Sequence, residues 1–385
     1  MMTEKMTYRW LWSCLIAGGL VLLSGCSGSS EDDQQQFDIL QFRAITRTEG
    51  AFVIPNEEIP ASDTNIKLFL ATLAPTNEDP NHYSVVEGTC SYSDQWSSSS
   101  SLKVKEETPY YLYGYMPSSI SATQSALEGD DYSKGISLEF TGLPAITSKD
   151  ICVLVGVQRV ETKSTEPTEL PTITEGQYGF RTGIKGKNYL NLLMAHLYTR
   201  VKVSFKIDPE YAELRSIHLK EVKLTSKYAN SASVTVNLRS GQGIASSTFP
   251  SDSEGAVEHT LILFKSSTEN PVVPEKVLDK ALADSENPAL TLDLPAYCRP
   301  VAGEGTYNLT LTTTYEVCDT EGSKLGEKTS ENEIKTERTS VNKVTLKMSE
   351  VGPGQEKVLV LTVKPTYLYV LSDNDADNPT ISLGD

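Results

Sequence analysis

The chain has 385 residues, of which 38% are hydrophobic and 22% charged, and its formal net charge is −17. This length exceeds what one ordinary hydrophobic core organises, so two domains are the default expectation. The strongly acidic composition argues against nucleic acid as a partner and against electrostatic binding to anionic lipid.

The N-terminus has the pattern of a bacterial lipoprotein signal. Lys5 and Arg9 precede a short apolar stretch at 11–23, shorter than the roughly 20 residues that a membrane span needs. The stretch ends in LSGC at 23–26, a lipobox in which the thiol of Cys26 takes the lipid. We therefore predict a signal peptide over 1–25 and a lipid anchor on Cys26. The alternative is an ordinary signal peptide that happens to end at a cysteine.

Residues 26–36 are polar, acidic and free of aromatic side chains. Such a segment buries too little apolar surface to fold, which predicts a tether. Its acidic triplet at 31–33 resembles the surface-export signal of certain Gram-negative lipoproteins, and a simple solvated linker is the alternative.

The rest of the chain is dominated by strand patterns. Apolar side chains alternate with polar ones over Arg200–Ile207 and Tyr307–Val317, which is typical of half-buried antiparallel strands. The apolar phase shifts by one residue near Lys220, which predicts a bulge. Shorter alternating runs occur at 66–70, 102–105, 110–115, 136–140, 234–238, 260–264 and 290–294.

The strand pattern is interrupted in several places, and the longest interruption in the first half bears on the domain organisation. The polar stretch Glu161–Asn188 precedes a fresh series of long strands, so we place a domain boundary near Asn191, giving domains at 37–190 and 191–385. Short helical turns are predicted within Glu210–Leu214 and Pro274–Ala283, the latter because residues 275–278 favour helix.

Four cysteines remain after the signal peptide and Cys26 are set aside, with no CxxC pair and no metal-ligand spacing. An oxidising compartment permits disulfides, and Cys298 with Cys318 is the pair that we would test first. Cys152 lies in an apolar run, so that a buried free thiol is equally plausible there.

A search for catalytic motifs finds none. The four histidines show no HExxH or HxxxH spacing, and no GxSxG, P-loop or GxGxxG sequence is present. His196 opens a strand and is expected to be a packing residue. We predict no enzyme activity and no cofactor.

One acidic motif near the C-terminus is a weak candidate for calcium. Asp373, Asp375 and Asp377 alternate as in a calcium-binding loop. However, Asn378 stands where the EF-hand loop needs glycine. The alternative is a solvated acidic turn, and we therefore predict no firm metal site.

Several segments together, in this order and spacing, resemble the fimbrillin family, the subunits of type V pili. The resemblance lies in the lipobox and in the segments at 42–49, 110–117, 195–203 and 367–373. It implies two transthyretin-like antiparallel β-sandwich domains in an outer-membrane lipoprotein exposed at the cell surface. It also implies cleavage after the first strand by an arginine-specific protease, and filling of the resulting groove by a C-terminal strand of another subunit. The implied partners are other pilus subunits and a host protein or glycan.

The residues at both ends allow this assembly. Phe37–Ile45 has a strand pattern and is followed by Arg47 in a polar segment, so Arg47 is the predicted cleavage site and Arg43 the second choice. Residues 357–371 form two apolar runs separated by Pro365 and are the candidate donor strands. Their donor residues are Val358, Val360, Leu361, Val363, Leu368 and Val370. The alternative is that both ends simply complete their own sandwiches.

A surface lipoprotein that binds glycans or other ligands without polymerising is the rival interpretation. It would need exposed aromatic side chains, such as Trp96 and the tyrosines at 110, 111, 113 and 115. The alternation around these tyrosines predicts instead that they fill a core.

Overall fold

The computed structural model describes residues 37–47, 65–92, 96–162, 172–228, 231–251, 258–328, 334–365 and 379–383. Within these ranges the protein is almost entirely β-structure, which confirms the predicted fold class. Its helices there are α1 (Pro209–Ala212), α2 (Lys280–Ala283) and a 3-10 turn at Met348–Glu350.

Within the described ranges, thirteen strands precede the predicted boundary region or cross it. They are β1 Asp38–Ile39, β2 Gln41–Arg47, β3 Ile66–Leu73, β4 Tyr83–Tyr92, β5 Trp96–Ser98, β6 Lys103–Val104, β7 Pro109–Met116, β8 Ser121–Ala126, β9 Gly135–Leu143, β10 Ile146–Thr147, β11 Cys152–Val160, β12 Gly179–Arg181 and β13 Tyr189–His196.

Fourteen more strands follow in the described ranges. They are β14 Thr199–Ile207, β15 Ser216–Ser226, β16 Ala232–Arg239, β17 Gly243–Thr248, β18 His259–Lys265, β19 Lys276–Leu278, β20 Leu290–Thr291, β21 Ala296–Cys298, β22 Thr306–Cys318, β23 Glu327–Lys328, β24 Ile334–Lys335, β25 Glu337–Lys347, β26 Glu356–Lys364 and β27 Thr380–Leu383.

The largest sheet is built from the N-terminal strands in the order β2-β13-β11-β7-β3-β4-β5, with β12 beside β7. One face of this sheet buries what we call the N-terminal core, which includes Phe42, Leu68, Leu112, Leu154 and Leu192. Alternate residues of the same strands point to the other face, as the two-residue period of a strand requires.

That other face packs against a second sheet of order β17-β16-β9-β8. The core between the two sheets includes Tyr113 and Val153 on one side and Phe140 and Val236 on the other. Strands β8 and β9 come from before Asn191, and the hairpin β16–β17 comes from after it. Residues from both halves of the sequence therefore form this sheet.

The C-terminal core lies mainly between two further sheets. One has the order β10-β21-β14-β26-β27, with β20 beside β14, and the other has the order β18-β15-β22-β25, with β19 beside β15. Val203, Leu219, Leu311 and Leu361 are fully buried in this core. Asn191 lies within β13, and the chain passes into these sheets between His196 and Thr199.

The local sequence predictions for this region are confirmed in part. The ladder between β15 and β22 shifts register between Leu219 and Glu221, which confirms the bulge near Lys220. Helix α1 confirms the predicted helical turn after Asp208. Of the helical turns predicted within Pro274–Ala283, α2 at Lys280–Ala283 confirms the end of the range. Residues 276–278 are instead strand β19, because their pairing with β15 overrides the local propensity.

All four cysteines of the folded body are buried free thiols. The disulfide considered between Cys298 and Cys318 is therefore not formed in this structure. Cys298 is aligned with Ile146 and Thr199 in one sheet, whereas Cys318 is aligned with Ser216 in another. The free thiol expected as the alternative for Cys152 is what the structure contains.

Several sequence predictions fall outside the described residues. They concern the signal peptide, Cys26, the tether, the donor residues Leu368 and Val370, and the calcium candidates Asp373, Asp375 and Asp377. None of the helices in the described ranges is long and apolar enough to cross a membrane.

Candidate assembly site at the N-terminal strands

The first described residues form a two-part strand with an apolar face turned inward. Leu40 and Phe42 are buried in the N-terminal core, whereas Phe37 and Ile39 remain 48% and 41% exposed. This division matches the alternation predicted over Phe37–Ile45. The segment therefore contributes to the core through one face only, as an outer strand does.

Strand β2 occupies an edge of the largest sheet. It runs parallel to β13, from the pair Gln41 and Tyr189 to the pair Arg47 and Met194. In an edge position only one neighbouring strand shares the backbone hydrogen bonds of β2. Removing β2 would therefore break one ladder and leave the unpaired edge of β13.

The segment before β2 also reaches the opposite edge of that sheet. Ser98, in the edge strand β5, donates a hydrogen bond from Oγ to the carbonyl oxygen of Leu40. The amide of Leu40 in turn donates to the carbonyl oxygen of Leu102 at 3.1 Å. Residues 38–47 thus bridge the two edges of the sheet over the N-terminal core.

One buried carboxylate anchors the start of this segment. Oδ2 of Asp38 accepts hydrogen bonds from the amide of Gly186 at 2.8 Å and from Nδ2 of Asn188 at 2.9 Å. Asp38 is 8% exposed and Asn188 is 2% exposed, so these bonds are shielded from water. Because charge-assisted bonds are the stronger kind, Asp38 ties β1 to the loop before β13.

The two arginines proposed for cleavage occupy different positions in β2. Arg47 is the last residue of the strand. Arg43 lies inside it, at the register shift between the pairs Phe42–Leu190 and Ala44–Asn191. Arg47 forms the last pair of the ladder, with Met194, so less of the ladder must open to expose Arg47 than to expose Arg43.

Two of the four proposed donor residues in β26, Leu361 and Val363, belong to the C-terminal core. Strand β26 runs parallel to β14 on one side and antiparallel to β27 on the other. Leu361 and Val363 are fully buried, Val360 is half-buried and Val358 is 52% exposed. Both terminal strands therefore pair within the chain itself, which was the alternative expectation and is also what an uncleaved precursor requires.

Three of the four tyrosines of the rival interpretation are buried, whereas Trp96 and Tyr111 are half-buried. Tyr110, Tyr113 and Tyr115 are at most 5% exposed. Tyr113 contacts Tyr178 with ring centroids 4.6 Å apart, and its hydroxyl donates to the carbonyl oxygen of Tyr132 at 2.6 Å. Burial raises the pKa of Tyr113 well above its usual value. These tyrosines are core residues, as their alternation predicted.

A cluster of polar side chains at the end of β13 was not anticipated as a unit. Nδ1 of His196 lies 2.9 Å from Oδ1 of Asp150 and 3.5 Å from Sγ of Cys152, and Sγ lies 3.3 Å from the same carboxylate oxygen. In a nucleophilic triad the histidine contacts its two partners through different ring nitrogens. Here both contacts use Nδ1, so this cluster is not arranged for proton relay.

The Asp-x-Cys spacing at 150–152 was the only local sign of this cluster. His196 follows more than forty residues later, and only the pairing of β11 with β13 makes Cys152 and His196 direct neighbours. A search by motif spacing therefore had no means of joining them.

Comparison with known proteins finds no matching family model and no matching curated protein. Several solved structures are similar. A fimbrial protein from Bacteroides vulgatus ATCC 8482 is 14% identical, with 89% of this chain and 97% of that chain covered and a TM-score of 0.46. A candidate cell adhesion protein from Bacteroides fragilis NCTC 9343 is 9% identical, with coverages of 90% and 94% and a TM-score of 0.36.

The fimbrial anchor protein Mfa2 from Porphyromonas gingivalis is also similar, at 9% identity, with coverages of 89% and 95% and a TM-score of 0.27. All three are described as fimbrial or cell adhesion proteins.

Proposed function

We propose that this chain is a structural or adhesive subunit of a cell-surface pilus, assembled by strand exchange after proteolysis. The precursor carries lipid on Cys26 and reaches the outer membrane. Cleavage after Arg47 releases residues up to the end of β2, and a strand from another subunit takes their place.

The observation that carries this proposal is the position of β2. It is an edge strand that ends at an arginine. Residues 37–42, which lead into it, bury one face in the core, and Leu40 bridges to the opposite sheet edge. The departure of β2 and these residues would leave an unpaired edge on β13 and vacate the apolar positions of Leu40 and Phe42. A strand supplied by another subunit satisfies both needs, which is the principle of β-augmentation.

The donor is proposed to come from the C-terminal segment 357–371. Strand β26 has two neighbours and contributes buried residues to its own core, so its exit would be costly. Strand β27 has only β26 as a partner in its sheet. Because β27 lies at an edge, its release breaks a single ladder. We therefore favour the part of the chain after Pro365 as the donor, which includes the proposed donor residues Leu368 and Val370.

The lipid anchor is the second component of the proposal. It rests on the LSGC sequence at 23–26 and on the charged and apolar residues before it. Cys26→Ala is expected to leave unprocessed precursor without lipid label. Normal processing and membrane retention of this variant would refute the lipoprotein assignment without touching the strand-exchange mechanism.

The test of cleavage is mass spectrometry of the N-terminal peptide of protein extracted from the cell surface. The wild type is expected to begin at Thr48 and to give oligomers that resist SDS and dissociate on heating. Arg47→Ala is expected to retain residues 37–47 and to remain monomeric. Arg43→Ala is the matched control, with cleavage and oligomers unchanged.

Two results would overturn the proposed function. One is a wild-type surface form that still contains β1 and β2 in oligomers of normal size. The other is an Arg47→Ala protein that polymerises with its first strand in place.

A further inference from the structure

The cluster of Asp150, Cys152 and His196 brings three different metal-ligand groups together at one end of the largest sheet. Cys152 begins β11 and His196 ends β13, and the two residues are direct partners across the antiparallel ladder. Asp150 precedes Cys152 by two residues in the chain. Two neighbouring strand ends and the turn before β11 thus supply one ligand atom each, all within 4.8 Å of one another.

The separations between the ligand atoms are close to those of a zinc tetrahedron. With Zn–S of about 2.3 Å and Zn–N and Zn–O of about 2.1 Å, tetrahedral angles place sulfur about 3.6 Å from nitrogen or oxygen, and nitrogen about 3.4 Å from oxygen. In the structure sulfur lies 3.5 Å from Nδ1 and 3.3 Å from Oδ1, and Nδ1 lies 2.9 Å from Oδ1. Only the last distance must widen appreciably, by about half an ångström.

The chemistry of the three groups selects the metal. A thiolate and an imidazole are ligands of zinc and related transition metals, whereas calcium and magnesium prefer sites made of oxygen alone. Cys152 is fully buried and the Asp150 side chain is 6% exposed, so two of the ligands are shielded from water. The His196 side chain is 16% exposed, which lets solvent reach the fourth position.

We propose that Asp150, Cys152 and His196 form a binding site for Zn²⁺, with a water molecule as the fourth ligand. On binding, the Cys152 thiol releases its proton to solvent and its sulfur bonds to the metal. The imidazole coordinates through Nδ1 and carries its proton on Nε2. Zinc affinity is therefore higher at higher pH, because the thiol proton must leave.

The location of this site gives it a structural role. It joins the ends of β11 and β13, two residues beyond the pair of Met194 with Arg47 and three before the start of β14. A metal there would hold the end of β13 against β11 where the chain leaves the largest sheet. This role stands whether or not β2 is removed.

The experiment is titration of the purified full chain with Co²⁺ and Zn²⁺ after treatment with a chelator. Co²⁺ is expected to bind at a ratio of one and to give a thiolate-to-cobalt charge-transfer band together with the visible bands of a tetrahedral site. Zn²⁺ is expected to displace Co²⁺ and to raise Tm by about 5 °C at saturation.

Cys152→Ser is expected to abolish the charge-transfer band and to lower zinc affinity about 100-fold or more. Cys90→Ser is the matched control, since Cys90 is also a buried free thiol of the N-terminal core. The Cys90→Ser protein should show the same charge-transfer band as the wild type. His196→Gln, checked for folding by circular dichroism, provides a second variant in case Cys152→Ser does not fold. Absence of the band in the wild type, or its persistence in a folded Cys152→Ser or His196→Gln protein, would overturn the proposal.

Discussion

Strands β2 and β26 resemble each other in pairing direction but occupy different positions in their sheets. Each is parallel to a neighbour, in sheets whose other described strand pairs are antiparallel. Strand β2 lies at an edge with β13 as its only neighbour, whereas β26 lies between β14 and β27. Leaving its sheet breaks one ladder for β2 and two for β26, and release of the whole segment up to Arg47 also breaks the two-residue ladder between β1 and β6.

The buried side chains follow the same division. Among the described side chains of the β1–β2 segment, those at 37–43, Leu40 and Phe42 lie in the N-terminal core. Strand β26 places Leu359, Leu361 and Val363 in the C-terminal core. The free-energy cost of removing a strand therefore depends on how many strands it pairs with as well as on its buried apolar side chains.

The largest expected effect comes from removing β26. Truncation after Met348 eliminates five buried apolar side chains, Val351, Leu359, Leu361, Val363 and Ile381, each of which stabilises by about 1.5–3 kcal/mol. The loss of roughly 8–15 kcal/mol is comparable with the whole stability of a typical domain, about 5–15 kcal/mol. We expect an insoluble or degraded protein, measured as soluble yield and cooperative thermal unfolding.

Truncation after Pro365 is the matched control for this experiment. It keeps β26 and removes β27, whose Ile381 is buried against the C-terminal core. We expect a folded subunit with a lower Tm that does not enter polymers. A soluble, cooperatively unfolding chain that ends at Met348 would show that β26 is as dispensable to the core as an edge strand.

A moderate effect is expected at the anchor of β1. Asp38→Ala leaves the amide of Gly186 without its side-chain acceptor and takes one acceptor from Asn188. Loss of a buried, hydrogen-bonded partner costs about 1–3 kcal/mol. The free energy of unfolding, measured by urea denaturation, should fall by that amount.

Asp130→Ala is the control for this change, because Asp130 is an exposed aspartate. Its effect should stay within about 0.5 kcal/mol. Equal effects of the two substitutions would mean that Asp38 does not anchor the segment.

The smallest predicted effect is the loss of stability of the C-terminal sheets at acidic pH. Burial by itself raises the pKa of Glu316, but hydrogen bonds from Lys324, Lys220 and Thr336 outweigh it and hold the pKa below its ordinary value of 4.5. The pKa of Glu275 is lowered in the same way, by Lys220 and His218 against its burial.

A carboxylate whose pKa is lowered in the folded state stabilises the protein above its unfolded pKa and loses that contribution as the pH falls. The free energy of unfolding should therefore decrease below about pH 4.5. Urea denaturation at a series of pH values would measure this decrease. The double variant Glu275→Gln and Glu316→Gln should show a shallower dependence, and an unchanged profile would exclude these two groups as its source.

Much of the local structure was predictable from alternation alone. The alternation predicted over Arg200–Ile207 and Tyr307–Val317 matches the buried side chains of β14 and β22. The alternation over Phe37–Ile45 separated Phe37 and Ile39 from Leu40 and Phe42 but did not say which face is buried. The bulge near Lys220 was also visible, because a one-residue shift in the apolar phase can only be accommodated by an extra residue in one strand.

The sequence by itself determined that this protein is β-structure and which side chains of its strands point inward, because the two-residue period reports burial directly. It did not determine which strands are neighbours, since backbone hydrogen bonds are the same whatever the side chain. Tertiary structure alone decided that β2 is an edge strand and β26 an interior one. It also decided that the hairpin β16–β17 joins β8 and β9, and that Asp150, Cys152 and His196 meet. Each of these depends on pairings between residues far apart in the chain, and no local pattern encodes them.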